Sequence, residues 1–244
     1  MRNWKLGDRG RGVRYVQEWL CLDEALGVDV VPDGHYGVAT EFAVRRFQRI
    51  HGLQEDGIAG SATWAKLTHR LDTATAALQH PPADFGQAVI ACAEQHLAAR
   101  AREVGHDNLG PWVRLYMRGD EGKSIAWCAG FATYCLHQAA ASLGRKPPLP
   151  RCSSVGQIVR RARRRGRFIA TPKRSERKNI KPGSLFVARR GRGWHHVGIV
   201  TEVHDDVFLS IEGNSNDESQ NNSFEVCRRI RSYEFETKDF IRVD

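Results

Sequence analysis

Three stretches of the sequence hold side chains that act on one another chemically once a fold brings them together. The first is IAWCAGFATYCLHQAAASL, in which Cys128 opens a run of good helix formers without proline. Unpaired N–H groups and the dipole at a helix start favour negative charge, so a thiol there is biased toward thiolate, the nucleophilic form. The second is PGSLFVARRGRGWHHVGIV, where Pro182-Gly183 start a strand, a Gly-rich turn follows, and His195-His196 open the next strand. A histidine at a strand end can face a helix N-terminus across an α+β core and act as base. The third is FLSIEGNSN, which places Glu212 and Asn214 two apart on a strand and hence on one face. Either can accept from the imidazole N–H and fix its tautomer, completing a nucleophile–base–orienter set. Taken singly, each stretch also has a plain structural reading. Cys128 beside Trp127 reads as a buried core thiol, the His pair as a solvated turn or metal site, and EGNSND as a turn. Cys135, flanked by apolar residues, reads as core, and His137 and His204 as structural or exposed. No third ligand lies at a standard spacing from the His pair, so no metal is expected.

These residues need elements to hold them. A helix is expected over about 85–102, with Val89, Cys92, Ala93 and Leu97 on its apolar face, a second over 127–143, and a short one over 155–163. From 183 onward SLFVA, HVGIVTEV, VFLSIEG, FEVCRRI and 240–243 read as strands. Helices first and an antiparallel sheet after make this an α+β domain.

Upstream lies an internal repeat: DGHYGVAT at 33–40 and DGIAGSAT at 56–63, offset by 23 residues. Asp-Gly makes a turn, the second glycine allows a left-handed backbone, and Thr or Ser caps the helix that follows. Ala43, Phe47 and Ile50 mark one such helix, Trp64, Leu67 and Leu71 the next, and Val13, Val16 and Leu20 one before them. Gly52 is placed to stop the middle helix. Residues 73–84 lack an amphipathic period, and Pro81-Pro82 break any helix. The expected division is therefore a three-helix unit at 1–72, a linker at 73–84 and the α+β domain at 85–244.

Composition agrees with two globular units: among 244 residues, 41% are apolar and 27% charged, which excludes collagen-like, mucin-like and wholly disordered classes. No run approaches the roughly 18 apolar residues of a membrane span. The opening MRNWKLGDRG has no apolar core segment, so no secretory leader is expected. The cysteines (Cys21, Cys92, Cys128, Cys135, Cys152 and Cys227) match no zinc spacing or compact disulfide framework and are expected as thiols. The net charge of +9 is concentrated: between Arg145 and Arg192 stand 17 Lys/Arg against one acid, Glu176. Such a belt is either a solvated face or a surface for an anionic envelope polymer. It lacks interleaved aromatics, so nucleic acid is not the expected partner.

The stretches LGDRGRGVRYVQ, DGHYGVATEFAVRRFQRIHGL and DGIAGSATWAKL together resemble the peptidoglycan-binding-like domain found beside bacterial cell-wall hydrolases. The resemblance implies attachment to murein, with His35, Tyr36 and Asp56 around the turns as candidate contacts. DNLGPWVRLYM, WCAGFATY, PGSLFVARR, HHVGIV and IEGNSN resemble the CHAP family of cysteine amidohydrolases and peptidases, papain-like in fold, over about 86–244. That resemblance implies Cys128 as nucleophile, His196 (the His directly before Val-Gly) as base, Glu212 and Asn214 as orienting positions, and Trp127 as a substrate-contacting neighbour. His195 is one residue off that register. Some members bind calcium through an acidic loop before the cysteine; here RGDEGKS offers only Asp120 and Glu121, so no metal or other cofactor is expected. Both halves imply an endolysin-like peptidoglycan hydrolase, either an N-acetylmuramoyl-L-alanine amidase or an endopeptidase. A non-catalytic wall-binding protein is the rival class. Made in the cytoplasm without a leader, the protein is expected to reach the wall or periplasm by release or by delivery as a toxin, which would need a neutralising partner in its producer.

Overall fold

The computed structural model of the protein describes residues 3–105, 107–215, 224–234 and 237–244. The N-terminal unit is three helices, α1 (Arg11–Leu22), α2 (Val38–Ile50) and α3 (Ser61–Thr75). Each copy of the repeat is wrapped around a buried glutamine from the preceding helix. Gln17 Nε2 donates to Asp33 Oδ1 (2.8 Å), the His35 carbonyl (3.0 Å) and Thr40 Oγ1 (3.0 Å), and its Oε1 accepts from the Gly34 N–H at 2.8 Å. Gln48 makes the same set with Asp56 (2.8 Å), the Ile58 carbonyl (3.1 Å), Thr63 (3.0 Å) and the Gly57 N–H (2.9 Å). A buried amide is costly unless its hydrogen bonds are made, and here every direction is filled by the turn.

This arrangement corrects two details read from the repeat. The left-handed residue is the first glycine of each copy, Gly34 (φ 74°) and Gly57 (φ 71°). The second, Gly37 or Gly60, is the extended N-cap of the next helix, without a side-chain cap. Thr40 and Thr63 lie inside the first turn and face the glutamine, which holds their hydroxyls more tightly than a cap position would. Gly52 does stop α2: it takes φ 67°, and the Leu53 N–H returns to the Gln48 carbonyl at 2.8 Å.

The second unit opens with α4 (Phe85–Ala98), followed by α5 (Pro111–Tyr116), α6 (Cys128–Ser142) and α7 (Val155–Arg164). Its strands are β1 (Phe168–Ile169), β2 (Leu185–Arg190), β3 (Gly193–Val203), β4 (Val207–Ser215), β5 (Glu225–Ser232) and β6 (Lys238–Ile241). They form one antiparallel sheet in the order β1-β6-β2-β3-β4-β5. Alternation along β2 sends Leu185 and Val187 into the core shared with the helices, and Phe186 and Ala188 into a second cluster with Phe208 and Phe240. The fold is α+β, as expected. The helix from Phe85 ends earlier than its apolar pattern suggests, because Arg100 turns left-handed (φ 52°) just after it. The basic stretch is more ordered than its composition suggests. Val155, Ile158, Val159 and Ala162 anchor α7 in the core, and β1 pairs with β6.

α6 lies against α4, β3 and β4, and glycine permits the close approach: a Cβ on Gly213 would stand 2.7 Å from Phe131 and Trp127. α3 continues to Thr75, past the expected boundary, and the segment after it is fastened to α6. Gln138 Nε2 donates to the carbonyls of Ala74 (2.7 Å) and Ala76 (3.0 Å), and the Leu78 N–H to Ser142 Oγ at 3.0 Å. Between the units Glu18, 1% exposed, accepts from Arg14 at 2.9 Å and Arg114 at 2.5 Å. Arg114 also holds Glu121 at 2.7 Å and stands over the Tyr15 ring, while Trp19 meets Trp112 edge-on at 6.1 Å. One continuous apolar core runs through both units. Among the described residues no helix is long and apolar enough to cross a membrane.

Replacing Gln17 with Leu strands the Gly34 N–H and removes one of the two donors to the Asp33 carboxylate. The expected loss is about 2 kcal/mol, a fall of roughly 4–8 °C in Tm for a chain of this size, checked by calorimetry.

Candidate active site

Cys128 is the first residue of α6 and 2% exposed, on the wall of a cavity of about 410 Å³ that it shares with Met117, Asp120, Val155, Trp194 and His195. The helix start is held from three sides. Asn214 Oδ1 accepts the Trp127 N–H at 3.0 Å. The Trp127 indole donates to Glu103 Oε1 at 2.8 Å, and its ring stacks on Tyr116 at 5.3 Å. Glu103 is itself buried and accepts the Asn108 N–H at 2.8 Å through its other oxygen.

His196 projects from β3 into the interior. Its Nε2 lies 2.7 Å from Glu212 Oε2, and its ring is near enough to the side chain of Cys128 for the two to interact. Burial disfavours the charged ring, but its interactions with Cys128 and Glu212 outweigh it and hold the imidazole pKa up at about 10, against an ordinary 6.5. Glu212 is fully buried in β4 and collects four donors: His196, Ser210 Oγ (2.6 Å), Arg231 Nε (2.8 Å) and Arg231 Nη2 (2.5 Å). Burial alone would raise its pKa. Arg231, then His196, reverse that and hold the carboxyl well below its usual range. The arrangement is a cysteine sulfur, an imidazole that keeps its proton, and a buried carboxylate behind it.

Of the residues singled out from sequence, the structure brings Cys128, His196 and Glu212 together. Asn214 does not share a face with Glu212. The β4–β5 register breaks between Glu212 and Ser215, and Asn214 turns left-handed (φ 54°), which aims its amide at the helix start instead of the imidazole. His195 is exposed on the cavity wall. Trp127 is fully buried, so its ring supports the site from beneath and offers no surface to a substrate. In the first unit His35 is exposed, as a contact residue must be. Tyr36 is fully buried with its hydroxyl on the Gly57 carbonyl at 2.9 Å, and Asp56 is occupied by Gln48 and the Ile58 N–H. Both are parts of the turn. His137 hydrogen-bonds the Leu149 carbonyl at 3.0 Å, and His204 sits exposed beside Glu202.

Sequence reasoning missed Arg231, Ser210 and Glu103. Ser210 carries a readable signal, since it lies two residues before Glu212 on one strand. Arg231 reaches Glu212 from the neighbouring strand opposite Phe208, a register that no local pattern announces.

The family model of the CHAP domain matches residues 120–214, and that of the peptidoglycan binding domain matches residues 9–67. The chain carries a CHAP domain behind a peptidoglycan binding domain. The CHAP match takes in Cys128, His196 and Glu212 together. Among curated proteins, the N-acetylmuramoyl-L-alanine amidase CwlL of Bacillus licheniformis is 47% identical over 64 residues, 24% of this chain and 18% of that protein. The zinc D-Ala-D-Ala carboxypeptidase of Streptomyces albus G is 43% identical over 61 residues, 25% of this chain and 24% of that one. The chain thus spans less than a quarter of the length of either relative. Among solved structures, a Burkholderia AP3 phage endolysin is 33% identical over 42% of this chain and 39% of its own, with a TM-score of 0.26.

The ion pairing in this CHAP domain makes stability depend on pH with a definite sign. Unfolded His196 releases its proton near 6.5, whereas the folded ring keeps it to about 10. Its contribution is therefore complete below pH 6.5 and is lost on rising through that interval, by at most about 1.4 kcal/mol per pH unit. Glu212 acts oppositely: its contribution is present above its ordinary range near 4.5 and lost on acidification. Tm should fall more steeply from pH 7 to 9 in the parent than in His196→Gln.

Proposed function

We propose that the protein is a peptidoglycan hydrolase whose CHAP domain cleaves an amide bond of the murein stem peptide, while its N-terminal unit attaches to the same polymer. The observation that carries this reading is the line of Cys128, His196 and Glu212, with the sulfur on a cavity wall at the start of a helix. The imidazolium partners a Cys128 thiolate, which attacks the scissile carbonyl carbon. The tetrahedral oxyanion forms beside the first turn of α6, where backbone N–H groups have no intrahelical acceptor. The Trp127 N–H is excluded from that role, since Asn214 already takes it. As the C–N bond breaks, His196 gives its proton to the departing amine, leaving a thioester on Cys128. Neutral His196 then takes a proton from water, which attacks the thioester carbonyl. Collapse releases a carboxylic acid, and the proton returns to the sulfur–imidazole pair. Glu212 keeps the ring aligned throughout and lowers the cost of its charge.

The basic belt supplies a second contact with the envelope. In the belt Arg174 and Arg177 are engaged by Asp206 and Lys181 by Asp244, whereas Arg160 and Arg164 stand exposed on α7. They would draw the enzyme to phosphate-rich wall polymer.

Cys128→Ala should reduce release of soluble fragments from purified sacculi by about 10³-fold or more while pelleting with sacculi as the parent does. Full clearing by this variant would refute the proposal. Mass spectrometry of the parent's fragments then distinguishes the two bonds: a free stem with a new N-terminal alanine marks an amidase, an opened crosslink an endopeptidase.

Glu212→Gln keeps the shape but removes the charge behind the imidazole. It should lower kcat by at least about tenfold and bring the alkaline limit of activity down toward neutrality, read from the pH–rate profile.

A further inference from the structure

The cavity holding Cys128 continues into a second one of about 340 Å³; Met117, Asp120 and Ser153 line both. Arg118 and Arg151 line the second and not the first. Two features of this pair are unusual.

Arg118 has φ 63°. It follows the last residues of α5, and the Gly119 N–H returns to the Arg114 carbonyl at 2.8 Å, which closes the helix. The position Arg118 occupies in that closure is the one glycine fills most readily, because a Cβ is disfavoured there. Gly119 stands one residue too late to relieve it. Arg100 takes the same left-handed position after α4, so what sets Arg118 apart is its place on the cavity wall and not its backbone.

Neither guanidinium has an acidic partner among the described residues. Arg151 donates to the Leu115 and Tyr116 carbonyls (3.3 and 2.6 Å) and lies over the Tyr134 ring, but its Nε is buried without an acceptor. Burial pushes its pKa down, and the charge of Arg118 adds to the push. Two like charges are thus held near each other, one of them half-buried, on the wall of a cavity that opens onto the catalytic sulfur. Asp120, at the junction of the two cavities, forms no ion pair with either. An incoming anion would relieve the repulsion.

We propose that Arg118 and Arg151 form a subsite for a free carboxylate of the substrate peptide, lying beyond the scissile bond. Arg118 is the residue that reads the carboxylate, and Arg151 supplies a fixed second charge. This rests on the hydrolase reading above, and names the chemistry the same cavity selects: stem peptides with a free acid over those in which it is amidated.

The test uses the full chain and fluorescently labelled stem peptides in free-acid and carboxamide forms. Binding is measured by anisotropy in the Cys128→Ala background, and hydrolysis by chromatography with Cys128 present. Amidation should weaken binding about tenfold, the value of one charge-assisted hydrogen bond. Arg118→Ala should abolish the difference and Arg118→Lys retain part of it, with the loss in hydrolysis falling on KM and not on kcat. Arg118→Gly should show the same lost preference while remaining at least as thermostable as the parent, which a purely structural arginine would not. Equal binding of the two peptides, or an unchanged preference in Arg118→Ala, would overturn the subsite. An Arg118-dependent preference in binding with no hydrolysis of either peptide would sustain the subsite and overturn the hydrolase reading instead.

Discussion

A carboxylate with no exposed surface is tolerable only if its charge is matched on the spot, and Glu212 organises the CHAP domain around that requirement. Ionised, it can only accept. Arg231 and Ser210 take up what His196 leaves free, so the imidazole must present an N–H to it and turn its other side to the sulfur. The geometry of the thiol–imidazole pair is therefore set by charge balance two side chains away. β4 does this and more. Through Glu212 it fixes the ring on β3, and through Asn214 it fixes the backbone at the mouth of α6. The strand is the jig in which His196 and the start of α6 are aligned, and the break in its register between Glu212 and Ser215 lets it serve both.

A second buried acid performs a related task under the helix mouth. Glu103 ties the Trp127 indole to the Asn108 backbone, so the residue next to Cys128 is anchored by its ring, its indole nitrogen and its amide at once. Glu121, in the loop that leads to the cysteine, is drawn instead toward Arg14 and Arg114 and accepts the Gly110 N–H at 2.9 Å. The loop over the cavity is thereby fastened to the first unit.

How much of this was legible in the sequence follows from the range of the interactions. The turns of the repeat, the stop at Gly52, the start of α6 and the strands of the sheet are encoded within a turn or two of chain and read correctly, except for which glycine of each repeat is left-handed and which residue caps the helix. Cys128, His196 and Glu212 were legible together through the family resemblance, since singly each stretch also reads as core or turn. Asn214 was half legible: its place near the site was right, but its task was not, since a left-handed kink is invisible in a pattern of alternating residues. Trp127 and Tyr36 read as contact residues because aromatic rings suit both cores and ligands, and only packing decides. Gln17 and Gln48 escaped notice although they repeat, because their partners sit at different distances along the chain, with a longer excursion after the first. Arg231 and Glu103 act across the fold and leave no local mark.

The seating of the first unit on the second has a mechanical corollary. A domain swinging on a slack connector samples a volume, and the effective concentration of its partner is set by the connector's length. Here Gln138 and Ser142 grip the connecting segment, and Glu18 and Trp19 lock the unit itself against Arg114 and Trp112. The molecule is a gauge more than a tether: whatever the first unit grips is offered to the sulfur at one spacing and in one orientation.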